Sequence, residues 1–243
     1  MRYYQKFSYK GANFRISSDR YETIVEEIIR QRSILSDHIR RQPEFLSALE
    51  PVHQLTDVPD IVERMYQASY KTGVGPMAAV AGVTAQIVAE TALKDGAKEA
   101  IVENGGDIYF SSDREVVIGL YAGGNPLSGK LGLAVKVEEM PLSICSSSSK
   151  MGHSLSFGNC DLATITSDDA ALADAAATLA CNLVKSVNDI DLVMEKVLQI
   201  PGIQGVLIIK DDKIGISGKL PRLVKHTDKQ FFGKVTRDKR NVG

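Results

Sequence analysis

The chain has 243 residues and only three cysteines, Cys145, Cys160 and Cys181, an odd number with no C-x-x-C pair. That excludes a disulfide framework and a zinc site built on paired cysteines, and it leaves reduced thiols, as expected in a cytoplasm. Net charge is nearly absent too: 29 Lys and Arg against 30 Asp and Glu leave −1. No overall field draws the protein to nucleic acid or to a charged membrane surface. No apolar run reads as long enough to span a bilayer. The N-terminus, MRYYQKFSYKG, has neither an apolar export core nor a lipobox-like cysteine. A cytoplasmic protein without membrane or nucleic-acid partners is the expectation. Also missing are a Walker loop, a dinucleotide fingerprint directly after a strand, and a G-x-S-x-G elbow. No repeat of solenoid period and no low-complexity linker divides the chain.

What is present is ordinary globular composition, 44% hydrophobic and 24% charged. The length suits one large domain, or two intimately packed halves with a boundary near 122–130. Residues 3–17 read as a hairpin turning at Lys10 and Gly11. Ser18 or Asp19 then caps a long amphipathic helix whose apolar face is marked by Ile24, Val25, Ile28, Ile29 and Ile34. Pro43 ends or kinks it. Residues 42–52 offer a short helix, and Pro59 opens another over 60–71. A glycine-rich turn at 72–76 feeds a small-residue helix over 77–93. Short strands follow at 100–102, 108–110, 116–121, 131–137 and 142–145. A helix over 189–198 precedes a hairpin of 206–209 with 214–217, both at a sheet edge. After Gly218 comes a basic, solvated tail, in which Phe231 and Phe232 suggest docking on its own domain or on a neighbouring subunit. Strands mostly follow strands, so the fold class is α+β with antiparallel sheets.

Four stretches carry chemistry. Residues 161–183 read as an apolar strand, a capping turn of Ser167, Asp168 and Asp169, and an alanine-rich helix that another backbone can approach closely. Asp174 and Thr178 interrupt the alanines four residues apart, hence on one helix face. A carboxylate beside a hydroxyl suits a hard cation such as Mg²⁺; alternatively Thr178 bonds back to the Asp174 carbonyl and Asp174 faces water. The turn around Gly73 and Gly75 is either a phosphate-binding helix start or a tight connection. Glu103, Asn104, Gly105, Gly106 and Asp107 form either a plain Gly-Gly turn or bare backbone that a ligand can approach, with polar flanks to bond it. Ser146, Ser147, Ser148 and Ser149, with Lys150 and His153, can bind phosphate oxygens, and His153 can act as an acid or base near neutral pH. A serine-rich surface loop is the alternative.

Three of these segments together resemble the ApbE-like superfamily, the FAD:protein FMN transferases once called thiamine-biosynthesis lipoproteins. They are GVGPMAAV at 73–80, VENGGDI at 102–108, and the region from His153 through ADAAATL ending at Leu179. The resemblance covers roughly residues 72–185, and the N-terminal third and the tail carry none. It implies a duplicated T-fold-like architecture of antiparallel sheets packed with helices. It implies FAD and Mg²⁺ as substrate and cofactor, a phosphorylated small molecule as ligand, a client protein as acceptor, and, by analogy, a homodimer. Carried over, Asp174 and Thr178 are the metal ligands, helped by a backbone carbonyl near Gly75. Gly73 and Gly75 belong to the glycine-rich loop, and Asn104, Gly105, Gly106 and Asp107 line the flavin or adenosine pocket. Ser148 and Ser149 lie near the diphosphate, and His153 is the catalytic base. Two departures reduce the charge near a diphosphate. Residues 154–158 stand where the family carries an acidic segment, and Pro76 and Met77 stand where it carries a lysine. Two functions are therefore expected side by side: a Mg²⁺-dependent FMN transferase or FAD pyrophosphatase, and a flavin- or nucleotide-binding protein that catalyses little.

Overall fold

The computed structural model describes residues 2–149 and 158–225. It opens with a hairpin of β1 (Gln5–Tyr9) and β2 (Ala12–Ser18), whose turn residues Lys10 and Gly11 both take positive φ, 45° and 83°. Such a turn matches the twist of the flanking strands. The long helix α1 (Tyr21–Arg41) follows. Neither expected residue caps it: Ser18 Oγ accepts the Arg20 N–H at 3.0 Å and Asp19 Oδ1 accepts the Lys98 N–H at 3.2 Å. Its buried stripe is Ile24, Glu27, Ile28, Gln31, Leu35 and His38, while Ile29 is 40% exposed. The expected apolar face was thus rotated slightly, because polar residues share the inner face. The next helix, α2 (Glu44–Ser47), is much shorter than the expected 42–52. Helix α3 (Asp60–Thr72) starts after Pro59 as anticipated. A 3₁₀ turn (Pro76–Ala79) runs into α4 (Val80–Lys94).

Next come β3 (Ala100–Asn104), β4 (Asp107–Ser111), β5 (Val116–Gly119), β6 (Leu131–Val135), β7 (Leu142–Ser147) and β8 (Leu162–Ser167). Then follow α5 (Ala170–Leu183), α6 (Ile190–Leu198), β9 (Ile203–Lys210), β10 (Lys213–Gly218) and β11 (Arg222–Lys225). Eight strands make one antiparallel sheet in the order β1-β2-β3-β4-β7-β8-β9-β10. The pattern strand–strand–helices–strand–strand occurs twice, and the two runs meet edge to edge at β4 and β7 through Ile108↔Ile144, Tyr109↔Ser143 and Phe110↔Leu142. The expected edge hairpin is half at an edge: β10 is outermost, but β9 lies between β8 and β10. A second antiparallel sheet, β11-β6-β5, covers the opposite face. Its strand β11 comes from the stretch expected to be solvated tail. The remainder of that tail, with Phe231 and Phe232, lies outside the described residues.

Both faces of the large sheet are apolar. Val102, Ile165, Val206 and Ile208 face α1, α4, α5 and α6, whereas Ile101, Leu207 and Ile209 face the small sheet. This is why β8 reads as a continuous buried run rather than an alternating one. Helices α4 and α5 form a middle layer. Ala89 and Ala177 pack toward the sheet, while Val83, Ile87, Ala171 and Ala175 pack toward Tyr66, Met65 and Phe45 under α1, α2 and α3. A layer covered on both sides has room mainly for small side chains, hence the alanines. The helical run Pro76–Lys94 corrects one expectation. It has 19 residues and a hydropathy of 1.3, long and apolar enough by length and composition to cross a bilayer, yet 61% of that window is buried inside the protein.

Candidate functional site

The site forms where the first turn of α4 meets the side of α5. Asp174, in the second turn of α5, points its Oδ2 at two backbone donors: Ala81 N–H at 3.1 Å and Gly82 N–H at 2.9 Å. Free amides at a helix start attract negative charge. The acceptor for this helix start is therefore supplied by the chain itself, and those two N–H groups are not free for a ligand phosphate. The approach is close because residue 82 is glycine. A Cβ there would lie 2.2 Å from the Ala170 carbonyl oxygen and 2.9 Å from Asp174 Cβ.

The turn between β3 and β4 completes the junction. Asn104 Nδ2 donates to the Ala81 carbonyl at 3.2 Å, so the Ala81–Gly82 peptide unit is held by Asp174 at its N–H and by Asn104 at its C=O. Asn104 pairs directly with Asp107, so both are strand residues and only Gly105 and Gly106 turn, at φ 67° and 111°. The expected five-residue loop is thus a two-residue hairpin turn, for which two glycines have a backbone reason of their own. Gly105 nevertheless faces open space among the described residues, with none of their atoms within 4 Å of where its Cβ would be. Asp107 Oδ1 accepts the Ser146 N–H at 3.2 Å, and the neighbouring Cys145 thiol donates to the Ala170 carbonyl at 3.6 Å.

These acids have no basic partner among the described residues. Burial pushes the Asp107 carboxyl up to about 7, against the pull of the Ser146 amide and Cys145, with Glu103 adding to the rise. Burial raises Asp174 well above the carboxylate range as well, and the charge of Asp107 adds to it, against the Gly82 and Ala81 amides. Two carboxyls that feel one another in an apolar setting favour holding a proton or a cation between them.

Thr178 lies one turn beyond Asp174 and is 8% exposed. Thr72, Thr84 and Thr91 each bond the carbonyl four residues back, but no hydrogen bond reaches Thr178 Oγ1 among the described residues. Two hard oxygens, Asp174 Oδ1 and Thr178 Oγ1, are thus left for a ligand. Among the described residues no group of three or more His, Cys, Asp or Glu is arranged for a metal ion. That donor set fits Mg²⁺, which is commonly bound by one or two protein oxygens with phosphate and water supplying the rest, and it does not fit a caged zinc.

The remaining expected residues fall elsewhere or have other duties. Gly73 ends α3 in the left-handed conformation, φ 77°, with its N–H bonded to Ser69 O at 2.7 Å. Gly75 packs on the Ala48 carbonyl, where a Cβ would sit at 1.8 Å, and its own carbonyl accepts the Ala78 N–H at 3.1 Å. Ser149 is knitted to Cys160 by two 3.0 Å bonds, one from its N–H and one to its Oγ. Ser148 is buried beside it, and Ser146 Oγ meets Thr164 Oγ1 at 2.9 Å. His153 and Lys150 lie outside the described residues. The structure therefore brings together Asp174, Asn104, Asp107 and the turn between the last two, with Thr178 one helical turn beyond Asp174. The sequence reading missed Gly82, Gln86 and Cys145. A glycine inside a helix of small and apolar residues was the one available signal of close backbone contact.

The sequence profile of a family described as AbpE bacteria matches residues 9–200, which extends the expected resemblance through the N-terminal third. A UPF0280 protein of Methanocella arvoryzae is 42% identical over 224 residues, covering 91% of this chain and 90% of its own length. One from Methanococcus vannielii is 38% identical over 238 residues, covering 95% and 96%. Among solved structures, a mutant of the flavin transferase ApbE from Vibrio cholerae superimposes with a TM-score of 0.58 at 13% identity, covering 90% of this chain and 97% of its own. The ApbE protein of Thermotoga maritima gives 0.55 at 13% identity, covering 98% and 100%. At such identities the superpositions speak to architecture, and they confirm the antiparallel α+β fold. The profile and the curated relatives settle kinship: the chain belongs to the AbpE family, as a homologue of the archaeal UPF0280 proteins.

Proposed function

We propose that the protein is a Mg²⁺-dependent enzyme acting on a flavin dinucleotide, either transferring FMN to a hydroxyl of a client protein or hydrolysing the FAD pyrophosphate. The observation that supports this most is the pair of oxygens, Asp174 Oδ1 and Thr178 Oγ1, one helical turn apart and without a hydrogen bond among the described residues. The fold shared with the flavin transferases supports the same reading.

Asp174 and Thr178 would hold the cation, which when bound supplies positive charge against the diphosphate oxygens. The Ala81 and Gly82 amides keep the Asp174 carboxylate from rotating. Asn104 holds the Ala81 peptide in the orientation those bonds need. The Asp107 carboxyl can hold a proton near pH 7, which relieves the repulsion between the two acids when no cation is present. Gly105 and Gly106 leave backbone bare for a flat ring or a ribose to approach.

The absence of a lysine at residues 76 and 77 favours a second reading, a flavin- or nucleotide-binding protein without turnover. Incubation with FAD and Mg²⁺, followed by chromatography for AMP, decides between them. AMP from the wild type, lost with EDTA and lost in Asp174→Ala, supports the enzyme. FAD bound but unchanged supports the binding protein. No binding of FAD, FMN or any adenine nucleotide overturns both.

A further inference from the structure

Helices α4 and α5 are joined by a clasp of two rungs. Residues 82 and 86, one turn apart on α4, face residues 170 and 174, one turn apart on α5. The first rung is the Gly82 N–H on Asp174 Oδ2 at 2.9 Å. In the second, Gln86 Oε1 accepts the Ala170 N–H at 2.7 Å. The helix's own cap, Asp169, takes the Leu172 N–H instead, at 3.1 Å, so the first amide of α5 is left for Gln86.

Gln86 is itself held. Its Nε2 donates to Glu90 Oε1 at 2.8 Å and to the Asp168 carbonyl at 3.4 Å. Glu90 in turn pairs with Arg64 of α3 at 3.2 Å. Gln86 is only 7% exposed, so these bonds lie where water competes poorly. The line Arg64, Glu90, Gln86, Ala170 carries the position of α3 and α4 to the first residue of α5. Asp174 and Thr178 stand one and two turns further along that same rigid helix.

We propose that Gln86 is a positioning residue for the cation site. It sets where α5 begins against α4, and so aims Asp174 Oδ1 and Thr178 Oγ1 at a common point. The proposal rests on the reading of those two oxygens as cation ligands.

The test uses Mn²⁺ as the probe, with free ion counted by its paramagnetic resonance signal and with thermal unfolding followed alongside. Outer residues that orient metal ligands typically change affinity 10- to 100-fold, so Gln86→Ala is expected to weaken Mn²⁺ binding by at least about tenfold. The exchange Gln86→Glu with Glu90→Gln keeps an acceptor for the Ala170 N–H and restores a donor opposite it. It should return most of the affinity that Gln86→Ala loses, the tenfold or greater cost being that of the missing contact. Ile24→Val, on the buried face of α1, serves as a control that lowers the unfolding temperature and leaves Mn²⁺ affinity unchanged. Gln86→Ala with lowered stability and wild-type affinity overturns the positioning role and leaves the cation reading standing. Equal Mn²⁺ binding by wild type and Asp174→Ala, or none by either, overturns the cation reading and this inference with it.

Discussion

Asp107 and His38 titrate in opposite senses, and each leaves its own mark on stability. Burial raises the Asp107 carboxyl from 3.8 to about 7, so the folded protein binds a proton that the unfolded chain has lost across that window. Stability from this group is complete below 3.8 and disappears as the pH rises through about 7. At about 1.4 kcal/mol per pKa unit the effect is on the order of a few kcal/mol. Unfolding temperatures measured in EDTA from pH 4 to 8 should fall on the alkaline side. Asp107→Asn, which keeps an acceptor for the Ser146 N–H, should flatten that fall. His38 is buried on α1 against α3, with Nε2 3.3 Å from the Tyr66 hydroxyl and no partner for Nδ1 among the described residues. Burial lowers its pKa below 6.5, with Arg41 adding to the effect, so the folded state resists protonation. Its contribution is complete above 6.5 and is lost as the pH falls below that value. His38→Gln should lessen the acid-side loss, to which Glu27 and Glu99 also contribute, and leave the alkaline one. The sequence could show neither effect. Asp174 and Thr178 are legible from a four-residue spacing, but the amides that hold Asp174 come from a helix more than ninety positions earlier.

Among the elements, α5 was the most legible, because every signal it carries is local. Asp169 caps it through the Leu172 N–H, as its residue type suggests. The start of α1 looked equally clear and was misassigned. Asp19 has the right chemistry for a cap, but the Lys98 backbone competes for it successfully. Glycines show the same division. Gly105 and Gly75 both sit in turns by sequence, yet they differ in three dimensions. A Cβ at Gly75 would lie 1.8 Å from the Ala48 carbonyl, a backbone atom that cannot rotate away. Gly75→Ala is therefore expected to cost about 1–3 kcal/mol or more, as overpacking does. Gly105 has φ 67° and open space around it, and asparagine tolerates that conformation in a hairpin turn. Gly105→Asn should stay within about 0.5 kcal/mol of wild type, like other exposed substitutions. Urea unfolding of the two variants checks both values. If Gly75→Ala proved as mild as Gly105→Asn, the close contact with Ala48 would be refuted.

At the scale of the whole molecule, the order of strands and helices was legible and their arrangement was not. The two strand–strand–helices–strand–strand runs share no visible sequence repeat, so nothing local announces that β4 and β7 should pair. That pairing rests on three residue pairs, about 35 positions apart in the chain. It is reinforced elsewhere. One apolar cluster draws Ile16, Val88 and Val102 from the first run and Ile165, Ala173 and Val206 from the second. Gly82 and Gln86 of the first run hold Ala170 and Asp174 of the second. Neither run can open without exposing the apolar face of the other and orphaning buried amides. Unfolding in urea should accordingly be a single transition, with the slow amides of Val102 in β3 and Ile165 in β8 exchanging at one common opening free energy. Gly82→Ala strains the shared seam, so it should move both amides together and keep the transition single. Two separated transitions, or protection lost at Ile165 and retained at Val102, would mean that the halves are stable alone and that the α4–α5 contact is incidental to the fold.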